Sequence, residues 1–161
     1  MFDAETKELA TAVLAACRAK GWHLATAESC TGGLVAAALT AIPGASDVVD
    51  CGFVTYSNVA NTELLGIADS VFATVGAVSA ETALAMAAGA VMHASVDLAV
   101  SVTGIAGPGG GSAEKPVGLV YLGLATSITC RSERHVFAGD RDEIRRRAMM
   151  RALEMLRDAA A

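Results

Sequence analysis

Apolar and polar positions along this chain follow two different periods, and the switches between them outline its elements. From about Asp3 to Lys20, the apolar residues Leu9, Val13, Leu14 and Cys17 fall at helical spacing, and Gly21 follows as a helix-ending residue. Trp22 to Ala27 reads as a short strand. Leu34 to Ile42 reads as a helix closed by Pro43-Gly44, and Cys51 to Tyr56, β-branched and aromatic, as a second strand. The pattern predicts a short helix from Asn58 to Gly66. Ser79 stands where a cap is needed for a long Ala-rich helix over about Ala80 to Ala94, with Glu81 favourable in its first turn. Leu98 to Thr103 is apolar apart from Ser101, as a buried strand is. Val117 to Thr129 and Arg131 to Phe137 predict a hairpin. Asp140 followed by Glu143 has the form of a capping box, opening a last helix whose inward stripe is Ile144, Ala148, Ala152, Met155 and Leu156.

Strands alternating with helices predict an α/β protein, a three-layer α/β/α sandwich whose hairpin makes the central sheet mixed and mostly parallel. No linker or repeat interrupts the pattern, so residues 1–161 read as a single domain, long enough to bury a substantial core. Hydrophobic residues make up 53% and aromatics only 4%, which calls for close helix-on-sheet packing of small side chains. The apolar stretches are broken before they reach spanning length, and the acidic start MFDAETKELA has no signal-peptide core. A cytoplasmic protein without a membrane partner is expected. The net charge of -5 argues against a nucleic-acid partner. Cys17, Cys30, Cys51 and Cys130 form no CxxC pair, so reduced thiols are expected and a zinc site is not.

Ligands of open α/β sheets gather at the carboxyl ends of the strands. Ser29–Gly33, Tyr56-Ser57-Asn58 and Thr103–Ser112 each follow a predicted strand. The first of these, within Ala27-Glu28-Ser29-Cys30-Thr31-Gly32-Gly33, is the most informative. It sets two hydroxyls and a thiol at a helix N-terminus, where backbone N–H groups lack partners and the dipole favours negative charge. That suits an anion, or a serine nucleophile with its oxyanion donors in place. A polar cap leading into a helix of small residues would look the same. Arg141, in the first turn of the last helix, opposes the macrodipole at a cost of roughly 0.3–1 kcal/mol. A bound phosphate or carboxylate would offset that, as would pairing with Asp140. Arg145, Arg146, Arg147 and Arg151 read as a solvated basic face.

The segments TAESCTGG, GFVTYSN, GAVS, TGIAGPGGGSAEKPVG and GDRDEIRRRA occur in this order over roughly residues 5–158. Together they resemble the CinA C-terminal domain family, which includes nicotinamide mononucleotide deamidases. Longer members carry a further N-terminal domain, and this chain resembles the stand-alone form. The resemblance implies hydrolysis of a small-molecule nucleotide, nicotinamide mononucleotide, to nicotinic acid mononucleotide and ammonia, a pyridine-nucleotide salvage step. It implies no metal or organic cofactor. Ser29 would be the nucleophile, and N–H groups around Cys30, Thr31, Gly32 and Gly33 would hold the oxyanion. Thr103 would orient a water or relay a proton. Arg141 and the Gly107–Ser112 loop would take the phosphate, and Tyr56 would stack on the ribose or the pyridinium ring, whose positive charge an aromatic face or a nearby carboxylate such as Glu28 would favour. Gly104, Gly109, Asn58 and Asn61 complete the expected binding set.

One position departs from the pattern. Similar family members often carry a lysine three residues after the Asn of YSN, the base paired with the serine, and here that position is Asn61. An amide cannot deprotonate a hydroxyl. Of the lysines Lys7, Lys20 and Lys115, only Lys115 stands near the inferred site. His23, His93 and His135 read as structural or solvent-facing. Three readings stay open: a deamidase using Ser29 with Lys115 or water, a catalytically impaired pyridine-nucleotide-binding or regulatory domain, and a thiol hydrolase built on Cys30. A homodimer is also open, with no interface to name.

Overall fold

A computed structural model describes residues 1–161. Its elements in chain order are α1 (Ala4–Lys20), β1 (Leu24–Glu28), α2 (Leu34–Thr40), a 3-10 turn (Ala45–Asp47), β2 (Val49–Val54), α3 (Asn58–Leu65), α4 (Asp69–Val75), α5 (Ala80–Ala94), β3 (Leu98–Gly104), β4 (Leu119–Thr126), β5 (Cys130–Val136) and α6 (Arg141–Ala160). The sheet order is β2-β1-β3-β4-β5. β1 is parallel to β2 and β3, while β3/β4 and β4/β5 are antiparallel, so four strands run one way and β4 alone runs back.

Two cores sandwich this sheet, as expected for three layers. On one face Leu24, Val100 and Leu122 pack against α1, α2 and α6. On the other, Ala25 and Ala99 meet Leu65, Met86 and Ala90 of α3 and α5. The largest fully buried side chains are all Leu, Ile or Met. Each stabilises the fold by about 1.5–3 kcal/mol relative to exposure. Small residues let the layers approach. Gly123 of β4 lies against the Ala83 carbonyl of α5, where any side chain would collide. Ser101, the lone polar residue of β3, serves the same contact: its hydroxyl donates to Ala83 O at 2.6 Å and accepts from Gly123 N–H at 3.1 Å.

The caps expected at Ser79 and Asp140 form, and α1 has one as well. Asp3 accepts from Thr6 N–H, Ser79 from Thr82 N–H, and Asp140 and Glu143 form a complete capping box. β2 sits earlier than expected, because its pairing with β1 ends at Glu28↔Val54 and releases Thr55 and Tyr56 into a loop. Helix α4 was not legible: it is only 7 residues long and buries none of them fully, so it shows no apolar period. No helix is long and apolar enough to cross a membrane.

Candidate active site

A cleft of about 310 Å³ opens at the carboxyl ends of the parallel strands. It is lined by Ser29, Cys30, Tyr56, Thr103 and Arg141, the loop residues Gly104–Gly107, Gly109 and Gly110, and Ala77-Val78. The expected loops after β1, β2 and β3 therefore meet in one place, and the segment before α5 supplies the far wall.

The turn after β1 is tightly determined. Ser29 N–H donates to Val102 O at 2.9 Å, continuing the β1/β3 ladder, and Gly32 N–H donates back to Ser29 O at 2.9 Å. Gly32 and Gly33 hold φ of 60° and 98°, left-handed values that glycine adopts without a Cβ penalty. The fully buried carboxylate of Glu28 accepts from Gly33, Val35 and Ala36 N–H at 3.1, 3.1 and 2.9 Å, and from the Thr26 hydroxyl at 3.2 Å. This corrects the expectation of a vacant helix N-terminus: Glu28 occupies it from within. The N–H groups of Gly32 and Gly33 are thus engaged, and those of Cys30 and Thr31 remain without a protein acceptor.

Cys30 does not offer a ready thiolate. Its side chain is buried in the larger core, and burial pushes its thiol up to about 11. Desolvation outweighs the helix terminus here.

Arg141 donates to Gly107 O at 2.7 Å and to the Tyr56 hydroxyl at 3.0 Å, and no carboxylate pairs with it. The Asp140 carboxylate instead caps α6. An unneutralised guanidinium therefore faces the cleft. The Thr103 hydroxyl donates to Ala77 O at 2.6 Å, which ties the end of β3 to the far wall.

Other expected site residues lie outside the lining. Asn58 is exposed in the first turn of α3. Asn61 is buried and fastens the preceding loop, accepting from the Thr55 hydroxyl at 2.8 Å and donating to Thr55 O and Ser57 O at 3.4 and 3.0 Å. Lys115 Nζ donates to Val75 O at 2.8 Å, at the end of α4. The cleft lining includes no Lys, His, Asp or Glu side chain. Thr31, Gly32 and Gly33 stand behind Cys30, and the Thr31 hydroxyl is buried without a partner. No three metal-ligating side chains cluster anywhere in the chain.

Glu28, expected as a carboxylate near the cationic pyridinium, is instead wholly buried outside the cleft lining and spends its oxygens on the start of α2. One part of the site was missed from sequence. Arg145, read as part of a solvated face, donates from Nε to Cys30 O and from Nη2 to Thr31 O, both at 3.1 Å. Its place four residues after Arg141, on the same face of α6, was the available clue.

Comparison with known proteins decides the family. The model of the CinA C-terminal domain matches residues 6–160. The chain belongs to the CinA C-terminal domain family. A CinA-like protein of Geotalea uraniireducens is 48% identical over 157 residues, covering 98% of this chain and 37% of that protein. The chain thus spans less than two-fifths of the length of the first curated relatives it matches. The nicotinamide-nucleotide amidohydrolase PncC of Enterobacter agglomerans is 48% identical over 158 residues, covering 96% of this chain and 94% of that one. The crystal structure of the competence/damage inducible protein CihA from Agrobacterium tumefaciens superposes with a TM-score of 0.95 at 48% identity, covering 99% of this chain and 98% of that one. The CinA-domain fold is shared with these relatives over nearly its full length.

Proposed function

We propose that this CinA-domain protein is a nicotinamide-nucleotide amidohydrolase, hydrolysing the carboxamide of nicotinamide mononucleotide to nicotinic acid mononucleotide and ammonia with Ser29 as nucleophile. The observation that carries this reading is the cleft itself. Ser29 shares it with an unpaired Arg141 guanidinium, and two N–H groups without protein acceptors follow Ser29 in the chain. The near full-length similarity to the PncC amidohydrolase supports the substrate class.

In this mechanism the Ser29 Oγ attacks the carboxamide carbon, and the N–H of Cys30, which lines the cleft, receives the developing oxyanion, with Thr31 N–H next behind it. A proton passes to the amide nitrogen, the C–N bond breaks, and ammonia leaves an acyl ester on Ser29. Water then hydrolyses that ester to the carboxylate. Arg141 pairs with the phosphate, and the exposed ring of Tyr56 offers its π-face to the cationic pyridinium. No amine, imidazole or carboxylate lines the cleft to take the serine proton. The proton goes to water, or to Lys115 once it leaves the Val75 carbonyl, and turnover is slow for that reason. General-base catalysis ordinarily contributes about 10²–10⁴-fold.

That same absence favours a second reading, in which the domain binds a pyridine nucleotide without turning it over. Ammonia and nicotinic acid mononucleotide release by the wild type, Ser29→Ala, Lys115→Ala and Asn61→Lys separates the two. The amidohydrolase reading expects slow wild-type turnover that Ser29→Ala abolishes, with Lys115→Ala slower still if Lys115 is the base. Substrate binding without product in the wild type, with turnover appearing in Asn61→Lys, establishes the binding domain instead.

A further inference from the structure

We propose that Arg145 is a positioning residue for the oxyanion-binding peptides, a role that rests on the amidohydrolase reading of the Ser29 cleft. Its guanidinium reaches from the second turn of α6 to the carbonyls of Cys30 and Thr31, at 3.1 Å each. In a trans peptide the carbonyl and the following N–H point in opposite directions. Fixing Cys30 O therefore fixes the direction of Thr31 N–H. The peptide before it is fixed by the turn, since Ser29 O accepts from Gly32 N–H and so orients Cys30 N–H. The two N–H groups left without acceptors are thus each set by a carbonyl held on its far side, and one of those holders is a side chain from the opposite end of the sequence.

Simple helix-to-loop anchoring does not account for the arrangement as well. Anchoring needs one hydrogen bond, whereas Arg145 spends two donors, Nε and Nη2, on consecutive carbonyls of this turn. Its nearest carboxylate, on exposed Asp142, is 3.9 Å away, so its charge is only loosely neutralised. That charge already acts locally, being among the influences that favour the Cys30 thiolate against the larger effect of burial. Cys30 O belongs to the peptide that carries Thr31 N–H, and Thr31 O to the one that carries Gly32 N–H, which in turn holds Ser29 O and so orients Cys30 N–H. A cation on both carbonyls polarises these peptides in the direction that strengthens the Thr31 and Gly32 donors. Arg141 and Arg145, one turn apart on α6, thereby divide the work: the first faces the ligand, the second faces the backbone that faces the ligand.

The test compares Arg145→Ala and Arg145→Lys with wild type in two assays. In steady-state hydrolysis of nicotinamide mononucleotide, Arg145→Ala is expected to lower kcat by about 10- to 100-fold, somewhat less than deletion of an oxyanion donor costs. KM stays within about twofold, and Arg145→Lys recovers part of the loss by restoring one donor. In ¹⁵N–¹H spectra, the Cys30 and Thr31 amide signals shift or broaden in Arg145→Ala while those of β3 and β4 hold. Unchanged kcat, a loss confined to KM, or unmoved Cys30 and Thr31 signals overturns the proposal. If the wild type releases no product, the amidohydrolase reading fails by itself, and the amide signals still decide whether Arg145 sets these peptides.

Discussion

Glu28 is the residue whose loss should be felt most widely, because its carboxylate is fully buried and closes the amino end of α2 from inside the fold. Glu28→Gln keeps the shape and removes one acceptor oxygen. The amide oxygen can retain Gly33 and Val35 N–H, both of which use one carboxylate oxygen in the native protein. The new NH₂ group then confronts Ala36 N–H, which loses its acceptor, while the Thr26 hydroxyl can turn to accept. A buried donor left unsatisfied costs about 1–3 kcal/mol, and two bonds to a neutral rather than a charged acceptor weaken by about 1 kcal/mol each. The smaller desolvation of an amide returns part of this. The net expectation is about 2–3 kcal/mol, or a fall in Tm of about 4–12 °C for a chain of this size.

Glu28→Ala removes both oxygens and leaves a hole, so its loss exceeds that of Glu28→Gln. Thermal unfolding followed by far-UV circular dichroism at pH 7 measures both. A Glu28→Gln protein melting within 1 °C of wild type, or an Ala variant no worse than the Gln variant, would refute the reasoning, because the cap would then contribute nothing that shape alone does not.

Gly123→Ala drives a methyl group into the Ala83 carbonyl and should cost about 3 kcal/mol, lowering Tm by about 6–12 °C; a wild-type melting curve would show that α5 and β4 are not in close contact. Glu133 is held down at about 2, first by its hydrogen bonds to Arg151 and then by His135 and Arg131, against an ordinary value of 4.5. A carboxylate depressed on folding stabilises above its ordinary value and loses that effect as pH falls, so the Tm gap between wild type and Glu133→Gln should be full at pH 6 and close between pH 4.5 and about 2. With its thiol pushed up to about 11, buried Cys30 should resist iodoacetamide at pH 7.5 while exposed Cys130 is alkylated first, as mass spectrometry of timed samples would report.

Most of the fold could be read along the chain because each element states its own period. The stripe Ile144, Ala148, Ala152 needs one face of α6 buried, and the capping pair Asp140 and Glu143 fixes where that helix begins. The convergence of three strand-end loops was legible for the same local reason. What escaped was decided by distant partners. α4 holds its place through contacts of Val71 and Phe72 rather than through a buried stripe. The helix terminus after Ser29 was expected to await a ligand, yet whether an N–H is vacant depends on where a neighbouring carboxylate lies. Arg145 belonged to a run of arginines whose separate destinations only the fold assigns: Arg146 goes to Asp3 and Glu5, Arg151 to Glu133 and Glu154, and Arg145 to backbone carbonyls.

Under the proposed function the cleft must hold a phosphate, and its two neighbouring helices differ in what they can offer. The amino end of α2 is filled by Glu28. The capping box of α6 takes the N–H groups of Asp140 and Glu143 and leaves those of Arg141 and Asp142 without a protein acceptor, a start toward an anion site. The charge comes from the Arg141 guanidinium, whose two present acceptors, Gly107 O and the Tyr56 hydroxyl, are neutral and yield readily to an anion. Engaging a phosphate would free Tyr56 from that hydrogen bond, letting its exposed ring settle on the pyridinium. On that proposal, binding of the phosphate and stacking of the base would be coupled through one side chain, and the nucleotide would be a better ligand for this cleft than its nucleoside or free nicotinamide.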